Sequence, residues 1–296
     1  MEIRKGLGYA VGAYVLWGTF PLYFAALEPA GPVEILIHRV LWTAVFGMLL
    51  LVGLRRLRGL RTAFSLKLTL AAVAIAVNWL VYVYGVHSGQ VVETALGYFL
   101  NPLLTVVLGV VVMRERLRAA QWVAVGIGVL AGTVLTVDYG RLPWIAITLA
   151  IAFATYGVLK KSVPVPAIEG VTVETLVLAP VALVYTFFFA GVDGNTFAHG
   201  TTWHTVLLVL AGPVTGIPLL FYAGAAKRLP LTMMGLLQYI TPVLQLTLGL
   251  VVFHEPMPPV RLLGFGLVWL ALVVLSVDGV RQNRLRRGLE ARHAVG

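Results

Sequence analysis

Residues 93–117 read ETALGYFLNPLLTVVLGVVVMRERL, and residues 233–257 read MMGLLQYITPVLQLTLGLVVFHEPM. Laid over one another at a spacing of 140, they set Asn101-Pro102 on Thr241-Pro242, Gly109 on Gly249 and Glu115 on Glu255. The same spacing carries Glu34 in VEIL onto Glu174 in VETL, and Asp138 onto Asp278. At a spacing of 139, Trp17-Gly18 falls on Tyr156-Gly157. The second half of the chain therefore repeats the first. Most of the matched stretches are too apolar for a protein dissolved in water. A duplicated chain of this kind points to a membrane protein made of two halves, the organisation that transporters use.

Composition agrees. Apolar residues make up 59% of the 296 residues and charged residues only 11%, against roughly 25% charged in a soluble domain. Too little polar surface exists to coat a globule, so lipid is the expected solvent. The net charge of +10 does not point to nucleic acid, because Lys and Arg fall in short clusters between apolar runs, as in cytoplasmic loops of membrane proteins. The chain has no Cys, which removes disulfides, thiolate metal sites and Cys nucleophiles. The N-terminal run MEIRKGLGYAVGAYVLWGTF starts like a signal peptide. Its apolar stretch continues to Leu27 and contains the repeated Trp17-Gly18, so it is expected to be a retained first span.

A spanning helix needs about 20 apolar residues. Ten segments qualify, over 7–27, 33–53, 67–86, 94–113, 120–137, 142–159, 171–190, 204–226, 231–252 and 260–278. With the N-terminus inside, the cytoplasmic segments hold nineteen of the 22 basic residues, and the opposite loops hold only Arg141 and Arg261. Both termini are therefore expected in the cytoplasm. Five spans in each half force the second half to enter the membrane inverted. The loops were adapted accordingly: RERLR at 114–118 matches HEPMP at 254–258, which has no basic residue apart from a His. The expected fold is an all-α integral membrane protein of ten transmembrane helices in two inverted five-helix repeats. The halves are 1–140 and 141–279, followed by a basic cytoplasmic tail, 280–296.

The stretches EILIHRVLW (34–42), NWLVYVYGV (78–86), ETALGYFLNPL (93–103), MRERLRAAQW (113–122), YGVLKK (156–161) and QYITP (238–242) resemble the RarD group of the EamA branch of the drug/metabolite transporter superfamily. The resemblance covers nearly the whole chain in order. It implies ten spans as two EamA repeats, a multi-pass permease of the plasma membrane, and export rather than uptake. It also implies that spans five and ten are peripheral. The group's name is attached to chloramphenicol sensitivity, which says little about the physiological solute. The resemblance supplies no binding residues, so the following are read from the sequence itself.

Arg39 lies inside the second span, where a charge costs at least about 2.5–3.5 kcal/mol on insertion scales. It is expected either to hold an anionic group of the substrate or to pair with Glu34 or Glu93. His38 shares a helical face with Glu34 and titrates near neutral pH. It is a candidate for substrate binding and for proton coupling, and equally for packing. Glu93 opens the fourth span, as a helix cap, a proton acceptor or a partner of Arg39. Pro102 and Pro242 each free a carbonyl near mid-span and are candidate hinges. Tyr98 with Asn101, and Gln238 with Thr241, share faces beside them. Asn78 is a further amide in an apolar run, and Trp17, Tyr82 and Tyr156 are aromatic candidates for a cavity wall. Glu115 and Glu255 are expected to tie each turn to the next helix.

No GxxxxGK[ST], GxSxG or HExxH occurs, nor a second His at ligand spacing. No catalytic residue, cofactor or metal is therefore expected, and ATP is not expected to drive transport directly. The partners are a small-molecule solute and the bilayer, with protons and a homodimer left open, and no nucleic acid. The alternative class is a passive channel for small solutes, which saturable counterflow would exclude.

Overall fold

The computed structural model describes residues 2–113, 117–189, 196–197 and 199–293; Glu115, with the basic turn around it, lies outside them. Among the described residues the chain is all-helical. The helices are α1 (Glu2–Gly18), α2 (Phe20–Ala25), α3 (Pro32–Gly53), α4 (Arg58–Ala63), α5 (Leu66–His87), α6 (Val91–Met113) and α7 (Ala119–Tyr139). Then follow α8 (Trp144–Lys161), α9 (Ala167–Phe189), α10 (Thr202–Ala226), α11 (Leu231–Leu237), α12 (Ile240–Val251) and α13 (Pro259–His293). Among the described residues, seven segments are long and apolar enough to cross a membrane: α3, α5, α7, α9, α10, Met233–Val251 and Pro259–Gln282. Val91–Val107 and Trp144–Lys160 are shorter apolar helices. Helix is the form that lets an apolar segment satisfy its own backbone groups in hydrocarbon.

Helix ends follow local chemistry. Ser65 and Thr201 accept hydrogen bonds at the starts of α5 and α10, from Leu68 N–H at 3.3 Å and His204 N–H at 3.2 Å. Pro32 opens α3, where its missing donor costs nothing. Gly140, at φ 63°, closes α7 in the left-handed region. Two expected continuous segments are broken. The first divides after Gly18, with Pro21 in the opening turn of α2. The ninth divides at Gln238-Tyr239, where Thr241 N–H turns back to the Gln238 carbonyl at 3.3 Å just before Pro242, which has no N–H to offer that carbonyl. Pro102 sits inside an unbroken α6, so matched prolines have unlike local outcomes. α13 carries helix past the apolar segment into the basic tail.

Packing pairs recur when each helix is exchanged for its counterpart 140 residues away. α5 packs on α8 as α10 packs on α1, α6 on α8 as α12 on α1, and α10 on α3 as α5 on α9. The pairs α3–α9, α6–α12 and α7–α13 join counterpart to counterpart. α7 and α13 run antiparallel. Arg118, before α7, meets Asp278 late in α13, while Asp138 at the end of α7 meets Arg261 at the start of α13.

Small residues set the closest approaches. A methyl group on Gly212 of α10 would strike the Trp42 carbonyl of α3, and backbone cannot step aside as a side chain can. We expect Gly212→Leu to separate α3 from α10 and cost more than the ~1–3 kcal/mol typical of overpacking, measured as loss of monodisperse protein and a lower thermal midpoint. Glu255 corrects its expected role. It accepts hydrogen bonds from Val91 N–H and from Val92 N–H, the latter at 2.9 Å. It thus caps α6 from the other half and does not merely tie its own turn to α13. Burial pushes its carboxyl pKa up, against the pull of those two N–H groups and of Arg261.

Candidate functional site

The described part of the centre is a layer of polar side chains set among aromatic rings. Arg39, from α3, is 4% exposed. Its Nε donates to Thr215 Oγ1 of α10 at 3.0 Å. Its guanidinium carbon lies 4.2 Å from the Trp79 ring centroid, 5.3 Å from Phe24 and 5.4 Å from Phe20. Neither expected carboxylate partner is there. Glu93 binds Arg141 at 2.7 Å and accepts Ile145 N–H at 3.0 Å, capping α8. Glu34 accepts Thr196 N–H at 2.7 Å and Phe197 N–H at 3.0 Å, in the approach to α10. Among the described residues Arg39 therefore forms no ion pair, and ring faces with one hydroxyl replace its lost water.

Beside it, Asn78 of α5 donates from Nδ2 to the Leu149 carbonyl at 3.2 Å and accepts from the Tyr98 hydroxyl at 3.2 Å. Tyr82 accepts from Gln245 Nε2 at 3.0 Å, and the same amide reaches the Trp17 carbonyl at 3.3 Å. Ring contacts run from Phe24 to Tyr82 at 5.8 Å, on to Tyr98 at 5.7 Å, to Phe153 at 6.0 Å and to Tyr156 at 6.1 Å. The Tyr156 hydroxyl donates to Glu174 Oε2 at 3.3 Å, and Lys160 holds the other oxygen of that carboxylate. Trp17 meets both Tyr14 and Tyr222 at tilted angles, with ring centroids 5.8 Å apart in each pair.

The structure thus brings Trp17, Arg39, Asn78, Tyr82 and Tyr98 together, and Tyr156 joins them through Phe153. It sets others apart. His38 turns away from this layer, toward Phe197 in the approach to α10: Nδ1 accepts from Trp42 Nε1 at 3.2 Å and the ring lies 4.4 Å from Phe197. Gln238 is half-buried at the end of α11 and joins none of these hydrogen bonds. Among the described residues, the buried Oδ1 of Asn101 has no hydrogen-bond partner. Sequence reading missed Thr215 and Gln245. The signal for Gln245 was present, a lone amide one turn beyond Thr241 in an apolar helix. The layer can hold an anion at Arg39 and present hydroxyls and amides along an apolar wall.

Long apolar helices around buried polar side chains make the chain a multi-pass membrane protein. The EamA-like transporter family model matches twice, over residues 4–137 and 142–277. The chain belongs to the EamA-like transporter family. It is 48% identical to Protein RarD of Streptomyces exfoliatus, over 98% of this chain and 94% of that one. It is 41% identical to an uncharacterized transporter of Pseudomonas aeruginosa, over 96% and 97% of the two chains. A crystal structure of a protein 20% identical shares the fold, with a TM-score of 0.61 over 92% of this chain and 96% of the other.

Proposed function

We propose that the chain is a secondary transporter that exports a small metabolite or drug-like solute across the plasma membrane. It works by alternating access between two inverted halves, 1–140 and 141–279, with both termini and the 280–296 tail in the cytoplasm. The carrying observation is Arg39: a buried cation that meets no carboxylate among the described residues and is held by Thr215 from the other half. Such a charge is costly in a membrane interior unless it meets a ligand or a water-filled path. The exchange of packing partners and the crossed ion pairs of α7 and α13 support inverted halves that rock about a common layer.

In this reading the solute lies between Arg39, Asn78, Tyr82, Tyr98 and Tyr156, with Trp17, Asn101 and Gln238 at its margins. An anionic group of the solute takes the guanidinium hydrogens that Thr215 leaves open. Pro242 and Pro102 allow α12 and α6 to bend as the halves move. The test is a thermal-shift screen of purified protein against amino acids, sugars and antibiotics, chloramphenicol included, followed by counterflow in proteoliposomes. Saturable counterflow supports a carrier; unsaturated flux would make the chain a channel.

Coupling to protons would run through His38, because Glu93 is engaged with Arg141 and the start of α8. We expect solute flux to respond to an imposed pH gradient in wild type, and His38→Asn to keep flux while losing the response. Wild-type flux that ignores the gradient would remove proton coupling from the mechanism.

A further inference from the structure

The geometry points to a binding site for the phosphodiester headgroup of an acidic phospholipid, in the pocket beneath the α3–α5 connection. The pocket has a volume of about 400 Å³, within the roughly 300–1,000 Å³ of ligand sites. Arg56, Arg58 and Ser65 line it from the α3–α5 side, Val165 and Pro166 from the α8–α9 connection, and Glu169 from the first turn of α9. These residues lie at helix ends, between Gly53 of α3 and Leu66 of α5 on one side and between Lys161 of α8 and Ala167 of α9 on the other; α3, α5 and α9 are of membrane length, and α8 is a shorter apolar helix. The pocket therefore lies at headgroup depth. Leu57, Phe64 and Leu66 stand exposed beside it, an apolar rim that suits acyl chains.

Charge selects the headgroup. Arg56 Nη2 pairs with Glu169 Oε1 at 2.7 Å. The other carboxylate oxygen of Glu169 is buried, so Glu169 fixes Arg56 without presenting its charge to a ligand. Arg58 is exposed and makes no ion pair among the described residues. The pocket is left with one positive charge in excess, which one phosphodiester neutralises. A choline headgroup brings a second cation next to Arg58, and the one carboxylate among the lining residues, Glu169, is already paired with Arg56. Basic clusters at helix ends are attracted to anionic leaflets in general; here two arginines share a shaped pocket. The proposal goes beyond transport and holds for either leaflet.

The test uses the full chain in phosphatidylcholine nanodiscs with increasing phosphatidylglycerol, read as the thermal unfolding midpoint. We expect phosphatidylglycerol to raise the midpoint of wild type. Arg58→Gln should weaken that dependence roughly fivefold with no change in pure phosphatidylcholine, and Arg58→Lys should retain most of it. Arg281→Gln, at an exposed residue late in α13, should leave the dependence intact. If Arg58→Gln folds poorly, amide exchange of wild type decides: the amides of residues 58–66, Val163 and Val165 gain protection with phosphatidylglycerol alone. Equal stabilisation by both lipids, or an undiminished response in Arg58→Gln, would overturn the proposal. An equal shift from soluble glycerol phosphate would assign a free-anion site and overturn the lipid.

Discussion

Arg39→Met will unfold at a higher temperature than wild type and will lose all response to the transported solute. Arg39 is 4% exposed and rests on one hydroxyl and three ring faces. Those contacts recover only part of the hydration lost on burial. Ring faces return about 0.5–2 kcal/mol, whereas effective desolvation of a buried ion costs several kcal/mol. A methionine fills similar space without the charge, and replacing buried charges by apolar groups often stabilises by about 1–4 kcal/mol. Stability and function then move in opposite directions, as expected where a site is kept costly for its task. The measurement is a paired one: the midpoint without ligand, and the ligand-induced shift. A stable variant that still responds would take Arg39 out of the site. A variant that unfolds earlier than wild type would make Arg39 a packing residue whose contacts outweigh its charge.

The cost of Arg39 is legible in the sequence itself, because a charge inside an apolar run is expensive wherever its side chain turns. The helices are legible for a similar reason, since apolar runs of spanning length leave the backbone no partner but itself. Contacts between elements are not. Arg39 meets Thr215, 176 positions away, rather than Glu34 on its own helix. Which residue lies opposite depends on the depth and rotation of two packed helices, and neither leaves a trace in local periodicity. Glu93 sits in the first turn of α6 and also caps α8, because Arg141 and Ile145 N–H are brought alongside by the short α7–α8 turn. The repeat sets the two prolines at equivalent positions, yet only the segment of Pro242 is broken. Equivalent sequence positions need not have equivalent neighbours. Gln245 is visible as an amide in an apolar helix; only packing puts it against Tyr82.

Asp138→Ala will destabilise the protein by about 3–5 kcal/mol, the cost of stranding a buried charge, while Asp278→Ala will cost about 1 kcal/mol or less, as for an exposed pair. The two residues occupy the same place in the two halves, and each pairs with an arginine at the far helix of the α7–α13 couple. Their surroundings differ. The Arg261 and Asp138 side chains are 14% and 7% exposed, and the guanidinium carbon lies 4.2 Å from the Tyr139 ring centroid. The Arg118 and Asp278 side chains are 45% and 11% exposed, so water screens that pair and takes over when it is broken. Thermal or denaturant unfolding of the two single variants measures the contrast. The exchanged variant Asp138→Arg with Arg261→Asp should recover part of the loss, since it restores an ion pair between the same two positions. Equal costs for Asp138→Ala and Asp278→Ala would mean that both ends of the couple are equally wet. The antiparallel arrangement carries a second consequence. In this cysteine-free chain, single cysteines placed beside Asp138 and Asp278 must react with an impermeant thiol reagent from opposite sides of the membrane. Labelling from one side alone would mean that α7 and α13 run parallel, and the inverted halves would fail with it.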